Sequence, residues 1–378
     1  MTSIYIIAGE ASGDFIGSLL MKNLKKTIHH CSFSGIGGPL MQKEGLDSLF
    51  NVAEISLMGF VEILPHVFNL QKLIKNTVAN IILVQPAIII TIDAPGFTYR
   101  VASKIKSKID CKLVHIVAPS VWAYKPNRVF KYAKIYDHLL ALLPFEPPMF
   151  TKVGLKCSYI GHPVLEQHFY ADKNYLKKEA NIEPNEKVIC VTAGSRKGEI
   201  IRHLPIFKLT FANIANKYSK LKIIFVVNNN EHENMIRSYL IDSQYNIEFS
   251  YDRLKAFALA DIAIAKSGTN VLEIAASSTP MVVIYKLNSI TYLILRRLIK
   301  IPYVSLVNIV LNRLVIPEFL QHNCSPSKIA ATVIDLLESK TKQILQVKLA
   351  QEALSILGYR SELQPSEKAA LIISELLK

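Results

Sequence analysis

Cysteine is scarce in this sequence, and its few copies are scattered. Among 378 residues there are five cysteines, far apart and without a C-x-x-C pair. An odd number of isolated cysteines supports neither a zinc site nor a disulfide framework, so we expect a protein of the reducing cytoplasm. No D-x-D pair occurs and the histidines do not cluster at ligand spacing, so we expect no metal or cofactor. The cysteines are Cys31, Cys111, Cys157, Cys190 and Cys324.

Long apolar runs are also missing. The longest, Ile81 to Ile92, is interrupted by Gln85 and Pro86 and falls short of the ~20 residues that span a bilayer. The apolar run after Met1 lacks a basic region and meets Glu10 at once, which argues against a signal peptide. We therefore expect a protein that is not integral to a membrane.

Acidic residues are outnumbered, 30 against 44 basic ones, for a net charge of +14. This excess indicates an anionic partner: a nucleic acid, a phosphorylated substrate or an anionic membrane. No RNP, helix-turn-helix or zinc-finger pattern appears, and the strands offer no aromatic stacking platform, so no nucleic-acid partner is expected. Half of the residues are hydrophobic, which is typical of a globular chain.

What the chain does contain is a repeated α/β pattern, with apolar β-branched runs alternating with amphipathic stretches. A polar, lysine-rich segment, 167–187, separates two such series. We predict two Rossmann-like domains, 1–165 and 186–349, with a C-terminal helix at about 350–378 that can return to the first domain. The predicted strands are 3–8, 31–36, 87–92, 112–117, 138–143, 157–160, 187–192, 221–227, 245–250, 262–265 and 281–285.

The first βα turn spans Gly9 to Asp14, where an apolar strand breaks at a glycine and restarts as a helix. Ligands of doubly wound sheets gather at such turns. The glycines do not have the G-x-G-x-x-G spacing, and Glu10 and Asp14 would repel phosphate. An ordinary helix cap is the alternative interpretation.

A second candidate is Asp93, which ends a strand apolar on both faces just before Pro95 and Gly96. A catalytic carboxylate of an α/β enzyme belongs at this position. Because aspartate also favours turns, a purely structural cap is the alternative.

Two turns of the second half are suited to phosphate. Each follows an apolar strand and opens a helix, so backbone N–H groups and the helix dipole can face an anion. Arg196 adds a guanidinium to the first turn, and Glu273, about one turn into the second helix, can accept from ribose hydroxyls. Plain βα turns with solvated charges are the alternative for each. The turn residues are Gly194, Ser195, Arg196, Ser267, Gly268 and Thr269.

Three further stretches are compatible with a membrane surface. The segment from Ser56 to Phe68 is strongly apolar, and Arg296, Arg297 and Lys300 lie in an apolar surrounding. Core packing and solvated faces are the alternatives to lipid contact. The third stretch carries Lys125, Arg128, Lys131 and Lys134.

Taken together, these motifs resemble the lipid-A-disaccharide synthase family of inverting glycosyltransferases, over nearly the whole chain. The resemblance implies the GT-B fold, with two Rossmann-like domains facing across a cleft, the first for the acceptor and the second for a UDP-sugar. The matching segments are Gly9–Asp14, Gly35–Pro39, Leu57–Glu62, Ile92–Pro95, Pro119–Ala123, Leu143–Glu146, Gly161–His162, Gly194–Arg196, Ser267–Thr269 with Glu273, and Tyr303–Leu306 with Asn308.

The resemblance also implies a reaction, in which UDP-2,3-diacylglucosamine and 2,3-diacylglucosamine 1-phosphate (lipid X) form the lipid A disaccharide and UDP without a metal. It makes Asp93 the catalytic base, Arg196 the diphosphate ligand and Glu273 the ribose ligand. It places the enzyme peripherally on the cytoplasmic face of an anionic membrane and leaves a homodimer open. Glu10 is expected as a second catalytic carboxylate, and Ser12, Asn308 and Gln321 are expected as further substrate-binding residues.

The sequence departs from the family pattern at three places. Gly96 and Thr98 replace an acidic residue and an asparagine, Thr192-Ala193 replaces Leu-Pro, and Val307 replaces a proline. The alternative within the same fold is another UDP-sugar transferase, such as a peptidoglycan N-acetylglucosaminyltransferase. Such an enzyme would share the nucleotide half but not the Gly9–Asp14 or Pro119–Ala123 segments.

Overall fold

The computed structural model describes residues 1–56, 63–241, 245–288, 292–293 and 301–378. It divides the chain into two compact units. Unit 1 comprises Met1–Glu166 and Leu357–Lys378, and unit 2 comprises Gln167–Ile356. The sequence predicts domain limits at 165 and 186; in the structure the lysine-rich segment between them belongs to unit 2.

Unit 1 is built on a seven-stranded parallel sheet of order β3-β2-β1-β4-β5-β6-β7. Its strands are β1 Thr2–Ala8, β2 Cys31–Ile36, β3 Asp47–Ser48, β4 Ile88–Ile92, β5 Lys112–Ile116, β6 His138–Ala141 and β7 Lys156–Tyr159. Its first helices are α1 Ala11–Thr27, α2 Pro39–Lys43, α3 Ala53–Ser56, α4 Ile63–Val84, α5 Thr98–Ile105, α6 Arg128–Ala133 and α7 Pro147–Thr151. A 3-10 turn, Pro163–Glu166, completes this part.

The central strands β1 and β4 are apolar on both faces because helices cover both sides of the sheet. Tyr5 and Ile7 face a core that includes Val101 of α5, whereas Ile4 and Ile6 face a second core. This alternation follows from the two-residue period of a strand. Both strands are thereby held between two cores, which gives the turns after them a rigid base.

The end of the chain returns to unit 1 as a helix, Pro365–Leu376, which packs along α1. The Asn23 amide of α1 donates to the Ser366 hydroxyl at 2.8 Å, and the Ser366 N–H donates to Glu166 at 2.7 Å. Ala370 and Ile373 complete the second core. Burial of apolar side chains and these hydrogen bonds therefore fix the return.

Unit 2 is built on a six-stranded parallel sheet of order β10-β9-β8-β11-β12-β13. Its strands are β8 Lys187–Thr192, β9 Leu221–Val226, β10 Asn246–Ser250, β11 Ile262–Lys266, β12 Met281–Tyr285 and β13 Glu318–Leu320. Its helices are α8 Lys173–Glu179, α9 Lys197–Ala215, α10 Asn230–Tyr239, α11 Arg253–Leu259, α12 Asn270–Ala276, α13 Leu306–Leu311, α14 Pro326–Glu338 and α15 Lys340–Ile356; the returning helix of unit 1 is α16. A short 3-10 turn, Gln321–Asn323, follows β13.

All predicted strands are present to within two residues of their predicted ends. The two strands that the sequence did not predict, β3 and β13, are edge strands of two and three residues. Neither is fully buried, so neither carries the apolar run from which the other strands are recognisable.

Two of the stretches considered for membrane contact are only partly described. The motif Leu57–Glu62 and the basic residues Arg296, Arg297 and Lys300 lie outside the described residues. Their contact with lipid stays a prediction. Within the described ranges, no helix combines the length and apolar character needed to cross a membrane.

Candidate active site

Both sheets have a topological switch point, at which the chain returns to the other side of its first strand. In unit 1 this point lies between β1 and β4, and in unit 2 between β8 and β11. Ligands of open α/β sheets bind beyond the carboxyl ends of the strands at such points. Most of the predicted site residues follow one of these four strands.

In unit 1 the turns after β1 and β4 touch. A Cβ on Gly9 would lie 2.5 Å from the Cβ of Ala94, so a glycine is required for this close approach. Glu10 and Asp93 are the chain neighbours of these two contacting residues. The structure therefore brings both predicted carboxylates to one edge of the sheet.

The other polar residues of the first turn differ in role. Ser12 is exposed in the first turn of α1. Asp14 is buried and accepts hydrogen bonds from the N–H groups of Gly38 at 2.9 Å and Met41 at 3.0 Å. It satisfies donors at the start of α2, which have no partner within that helix. Asp14 therefore anchors the fold rather than facing a ligand.

Asp93 lies in an unusual backbone conformation. Its φ is 48° and that of Ala94 is 46°, and left-handed conformations of residues other than glycine cost about 1–3 kcal/mol each. The Asp93 N–H donates to the Ile116 carbonyl at 3.0 Å, and the Thr98 hydroxyl donates to the Asp93 carbonyl at 2.6 Å. Strain of this kind persists where the surroundings over-determine it, typically at active sites.

The environment of Asp93 makes its carboxylate more basic than usual. Burial raises the pKa of Asp93, and a hydrogen bond from the Ala94 N–H opposes this shift only in part. Desolvation disfavours the charged form, so the proton is held more tightly than by an exposed aspartate. A raised pKa in a cleft is typical of catalytic acids and bases.

A cavity of about 310 Å³ opens beside Asp93, lined also by His115, Arg128 and Tyr132. His115 and Tyr132 are 1% and 2% exposed. Among the described residues, neither the His115 Nε2 nor the Tyr132 hydroxyl has a hydrogen-bond partner. Buried polar atoms normally have one, so both are suited to a ligand that enters this cavity.

Sequence reasoning missed His115, which lies opposite Thr91 in the β4–β5 pair. The Thr91 hydroxyl and His115 Nδ1 are 2.7 Å apart, and the Tyr136 ring stacks at a tilt 5.0 Å from the imidazole. Burial lowers the pKa of His115 to about 3, so the ring is neutral at physiological pH. No local pattern identifies such a residue, because its partners come from neighbouring strands.

In unit 2 the turn after β8 is tied to its own helix. Gly194 has φ 138°, and a Cβ there would lie 2.7 Å from the Cβ of Glu199. Glu199 accepts from the Ser195 N–H at 3.1 Å and pairs with Lys266 at 3.0 Å. Although burial opposes it, the Lys266 charge holds the pKa of Glu199 below its usual value. Arg196 follows as the N-cap of α9, which places its backbone at the positive end of a 19-residue helix.

The turn after β11 lies next to it. Ser267 donates its hydroxyl proton to the Val304 carbonyl at 3.0 Å, and Thr269 is the N-cap of α12. The Thr192 hydroxyl accepts from the Lys266 N–H at 3.0 Å and from the Asn270 amide at 2.6 Å. Thr192 thereby links the two predicted phosphate turns through β8.

Glu273 is buried on α12 and has hydrogen-bond partners within the protein. Its Oε1 accepts from Arg253 Nε and from the Gln167 amide, both at 2.8 Å. The Arg253 guanidinium also donates to the Gln167 side-chain carbonyl at 2.6 Å. These contacts fix the carboxylate, and a ribose hydroxyl would have to approach its other oxygen.

Asn308 is fully buried, and all of its amide positions are used within the protein. Its Nδ2 donates to the Ile316 carbonyl and to Glu318 at 2.8 Å, and its Oδ1 accepts from the N–H groups of Val315 and Ile316 at 2.9 Å. This saturation favours a role in holding the loop before β13. Gln321, with φ 52°, directly follows β13. Because β13 is parallel to the other strands, Gln321 lies at the carboxyl-terminal edge of the sheet, as do the two turns predicted to bind phosphate.

The chain is similar to known proteins over nearly its whole length. A family model described as Lipid-A-disaccharide synthetase matches residues 4–373. A protein of Rickettsia akari (strain Hartford) named Lipid-A-disaccharide synthase is 54% identical over 377 residues, covering 99% of this chain and 96% of the relative. The chain belongs to the lipid-A-disaccharide synthase family. It is thus a glycosyltransferase of lipid A biosynthesis.

Solved structures with little sequence identity share the fold. A UDP-GlcNAc 2-epimerase from Neisseria meningitidis bound to UDP-GlcNAc is 12% identical, with a TM-score of 0.65 over 100% of this chain and 99% of that one. The calicheamicin glycosyltransferase CalG4 is 13% identical, with a TM-score of 0.59 over 100% and 98%. These likenesses confirm the GT-B class that the sequence predicts for this family member.

Two other motifs of the lipid-A-disaccharide synthase family meet in unit 1. Trp122 Nε1 donates to Glu146 at 3.1 Å, and the Leu143 N–H donates to the other oxygen of that carboxyl at 3.1 Å. Burial raises the pKa of Glu146 to about 7, which the Trp122 hydrogen bond opposes. The loops after β5 and β6 are therefore joined through one buried carboxyl group.

The departures from the family pattern have structural roles. Thr98 donates to the carbonyls of Asp93 and Ala94 and so holds the strained turn. Thr192 links the two turns predicted to bind phosphate, and Val307 is fully buried. Among the described residues, no three His, Cys, Asp or Glu side chains are placed to hold a metal ion.

Proposed function

We propose that this family member transfers 2,3-diacylglucosamine from UDP-2,3-diacylglucosamine to the 6-hydroxyl of lipid X with inversion, releasing UDP. The names of its relatives support a disaccharide product. The observation that carries the chemistry is Asp93, held in a strained turn at the switch point of unit 1 beside a cavity.

Asp93 acts as the general base. Its carboxylate takes the proton of the acceptor 6-hydroxyl as that oxygen bonds to the anomeric carbon and the bond to UDP breaks. An aspartate of ordinary pKa, ~3.9, is a poor base for an alcohol in the ground state, so proton transfer accompanies attack. The raised pKa of Asp93 reduces this mismatch. Glu10, at the adjoining turn, orients acceptor hydroxyls.

Unit 2 receives the nucleotide sugar. Arg196 and the N-terminal end of α9 face the diphosphate, and Ser267 to Thr269 provide further donors at the adjacent turn. Preorganised donors aimed at developing charge stabilise the transition state. Glu273 contacts the ribose, while Asn308 and Gln321 shape the same edge. With these donors the transfer proceeds without a metal ion.

The enzyme works at an anionic membrane surface, because both substrates carry acyl chains. The stretch from Lys125 to Lys134 supports this. Its three lysines, Lys125, Lys131 and Lys134, are exposed, and Phe130 is 56% exposed beside them. Each lysine near such a surface contributes ~1 kcal/mol of attraction. Binding to anionic vesicles that salt does not weaken would contradict this electrostatic part of the proposal.

The experiment that tests the reaction is an incubation of the protein with UDP-2,3-diacylglucosamine and lipid X, followed by mass analysis. We expect the disaccharide 1-phosphate and UDP in equal amounts, with the new linkage in the β configuration. Hydrolysis of the donor alone, or an α linkage, would contradict the proposal. Omitting lipid X and adding a chelator are the matched controls.

A further inference from the structure

A second cavity, of about 360 Å³, adjoins the one beside Asp93. The two cavities share Pro95, Arg128 and Tyr132 among their lining residues. Lys125, Lys131, Asn127 and Tyr99 complete the polar lining, and no acidic residue contributes. We call this second space the basic cavity.

The cations of the basic cavity have no acidic partner. Among the described residues, Lys125, Arg128 and Lys131 form no ion pair with a carboxylate. Lys125 and Arg128 instead lie over the Tyr124 ring, 4.8 and 6.0 Å from its centroid. Three uncompensated positive charges around one concave space attract an anion.

An independent observation points to a ligand in the same place. Tyr132 lines both cavities, is 2% exposed, and its hydroxyl lacks a partner among the described residues. Leaving a buried hydroxyl unpaired costs about 1–3 kcal/mol. A ligand oxygen in either cavity would remove that cost.

We propose that the basic cavity binds the phosphate monoester of the acceptor sugar, an inference that rests on the proposed function. In a glucosamine 1-phosphate, C1 and C5 are both bonded to the ring oxygen. The phosphate on C1 and the hydroxymethyl group on C5 are therefore attached at the two positions that flank the ring oxygen. Two adjoining cavities, one beside the catalytic carboxylate and one basic, match this arrangement. Arg128, which lines both, can bind the phosphate through two parallel N–H bonds.

This arrangement makes the basic cavity a determinant of acceptor specificity. The phosphate is a monoester dianion, whereas the donor carries a diphosphate diester attached to a nucleoside. A site formed by Arg128, Lys131 and Lys125 favours the first and sets the ring so that its 6-hydroxyl faces Asp93. An acceptor without phosphate would lose this contact and this orientation.

The test measures kcat/KM for two enzymes, each with two acceptors. Detergent micelles replace the membrane, so that membrane charge does not contribute. Arg128→Gln is compared with wild type on lipid X and on 2,3-diacylglucosamine lacking the phosphate. We expect kcat/KM for lipid X to fall by roughly 10- to 100-fold, as for loss of a hydrogen bond to a charged group. For the dephosphorylated acceptor the two enzymes should agree to within about 3-fold. Lys131→Gln should behave similarly with a smaller loss.

The control is Lys104→Gln, which removes the same charge from an exposed position on α5 outside both cavities. It should keep wild-type kcat/KM on both acceptors. UDP affinity, measured on each variant, should be unchanged and reports correct folding. Equal losses by Arg128→Gln on both acceptors would overturn the inference while leaving the proposed function intact. Absence of disaccharide from wild type itself would overturn the proposed function.

Discussion

The switch points of the two units share a topology and differ in chemistry. At the β1–β4 point the carboxylates Glu10 and Asp93 follow neighbouring strands, and polar atoms nearby lack partners among the described residues. At the β8–β11 point Glu199 is bonded to Ser195 and Lys266. The edge in unit 1 has a strained backbone and buried polar atoms without hydrogen-bond partners among the described residues. The carboxylate at the edge in unit 2 already has its partners within the protein.

In the proposed mechanism, this difference lets one architecture serve two tasks. Proton transfer needs a carboxylate whose pKa is displaced from its solution value, and burial with few charge partners achieves that for Asp93. Binding a diphosphate instead needs donors fixed in advance, and internal pairs such as Lys266 with Glu199 hold the turns in place. Substitutions in one unit should therefore affect one task and leave the other unchanged.

The largest effect is expected from Asp93→Asn. The amide cannot accept the proton, so kcat should fall by ~10²- to 10⁴-fold, the usual contribution of a positioned general base. UDP affinity, measured by calorimetry, should not change, because the proposed nucleotide site lies in unit 2. Asp110→Asn, at an exposed position of the same unit, is the control. Near-normal turnover by Asp93→Asn would direct attention to Glu10.

The next effect concerns stability and distinguishes the buried carboxyls of the two units. The pKa of Glu146 in the folded state is raised to about 7. The protonated carboxyl group therefore contributes fully to the free energy of unfolding below its ordinary pKa, and this contribution is lost as pH rises through 7. The free energy of unfolding of wild type relative to Glu146→Gln should therefore fall by up to about 3 kcal/mol between pH 5 and 8. Denaturant unfolding at several pH values measures it.

Glu199 in unit 2 should show the opposite dependence. Its pKa is lowered mainly through Lys266, although burial opposes the shift. Its contribution is therefore present above the ordinary glutamate pKa and is lost as pH falls. The measured quantity is the free energy of unfolding of wild type minus that of Glu199→Gln. If this difference fell between pH 5 and 8, the electrostatics assigned to unit 2 would be wrong.

Arg196→Gln should change activity by a free energy similar to that expected for Glu146 on stability. Loss of one transition-state donor often costs ~10²-fold in kcat, and the KM for the UDP-sugar should rise as well. Lys197→Gln is the matched control, because Lys197 is exposed and its ion pair is with Glu231, which is also exposed. An unchanged donor KM in Arg196→Gln would remove Arg196 from the diphosphate site.

The smallest effect is expected from Thr98→Val, which keeps the side-chain shape and removes two hydrogen bonds to the strained turn. A hydrogen bond contributes about 1 kcal/mol, so we expect a roughly 3- to 10-fold lower kcat with donor KM unchanged. Because Thr98 acts through Asp93, the acid limb of the pH–rate profile should also move. Thr98→Ser should restore both values.

The sequence allowed the fold to be predicted well, because buried parallel strands are short apolar runs between turn residues. It also placed Asp93, Arg196 and Ser267 at the ends of central strands, since the carboxyl ends of parallel strands share one edge. The substrate roles of these residues stay predictions. The edge strands β3 and β13 escaped detection because they are too short to show a pattern.

What the sequence could not show depends on distant contacts. Asp14 satisfies the start of α2 from 24 residues away, and Asn308 of α13 uses every amide position on the segment from Val315 to Glu318. In the part of the chain that the structure describes, His115 Nε2 and the Tyr132 hydroxyl have no hydrogen-bond partner, a property that no local sequence pattern shows. Thr98, a departure from the family pattern, is recognisable as a support of Asp93 only from the geometry of the turn.

The measurement that tests the account most directly is the pH dependence of kcat for disaccharide formation, with wild type and Asp93→Asn compared. Protonation removes the base, so activity should fall on acidification, with an apparent pKa above the ~3.9 of ordinary aspartate because burial raises the pKa of Asp93. The residual activity of Asp93→Asn should lack this acid limb. The same limb in both enzymes would contradict the assignment of Asp93 as the general base.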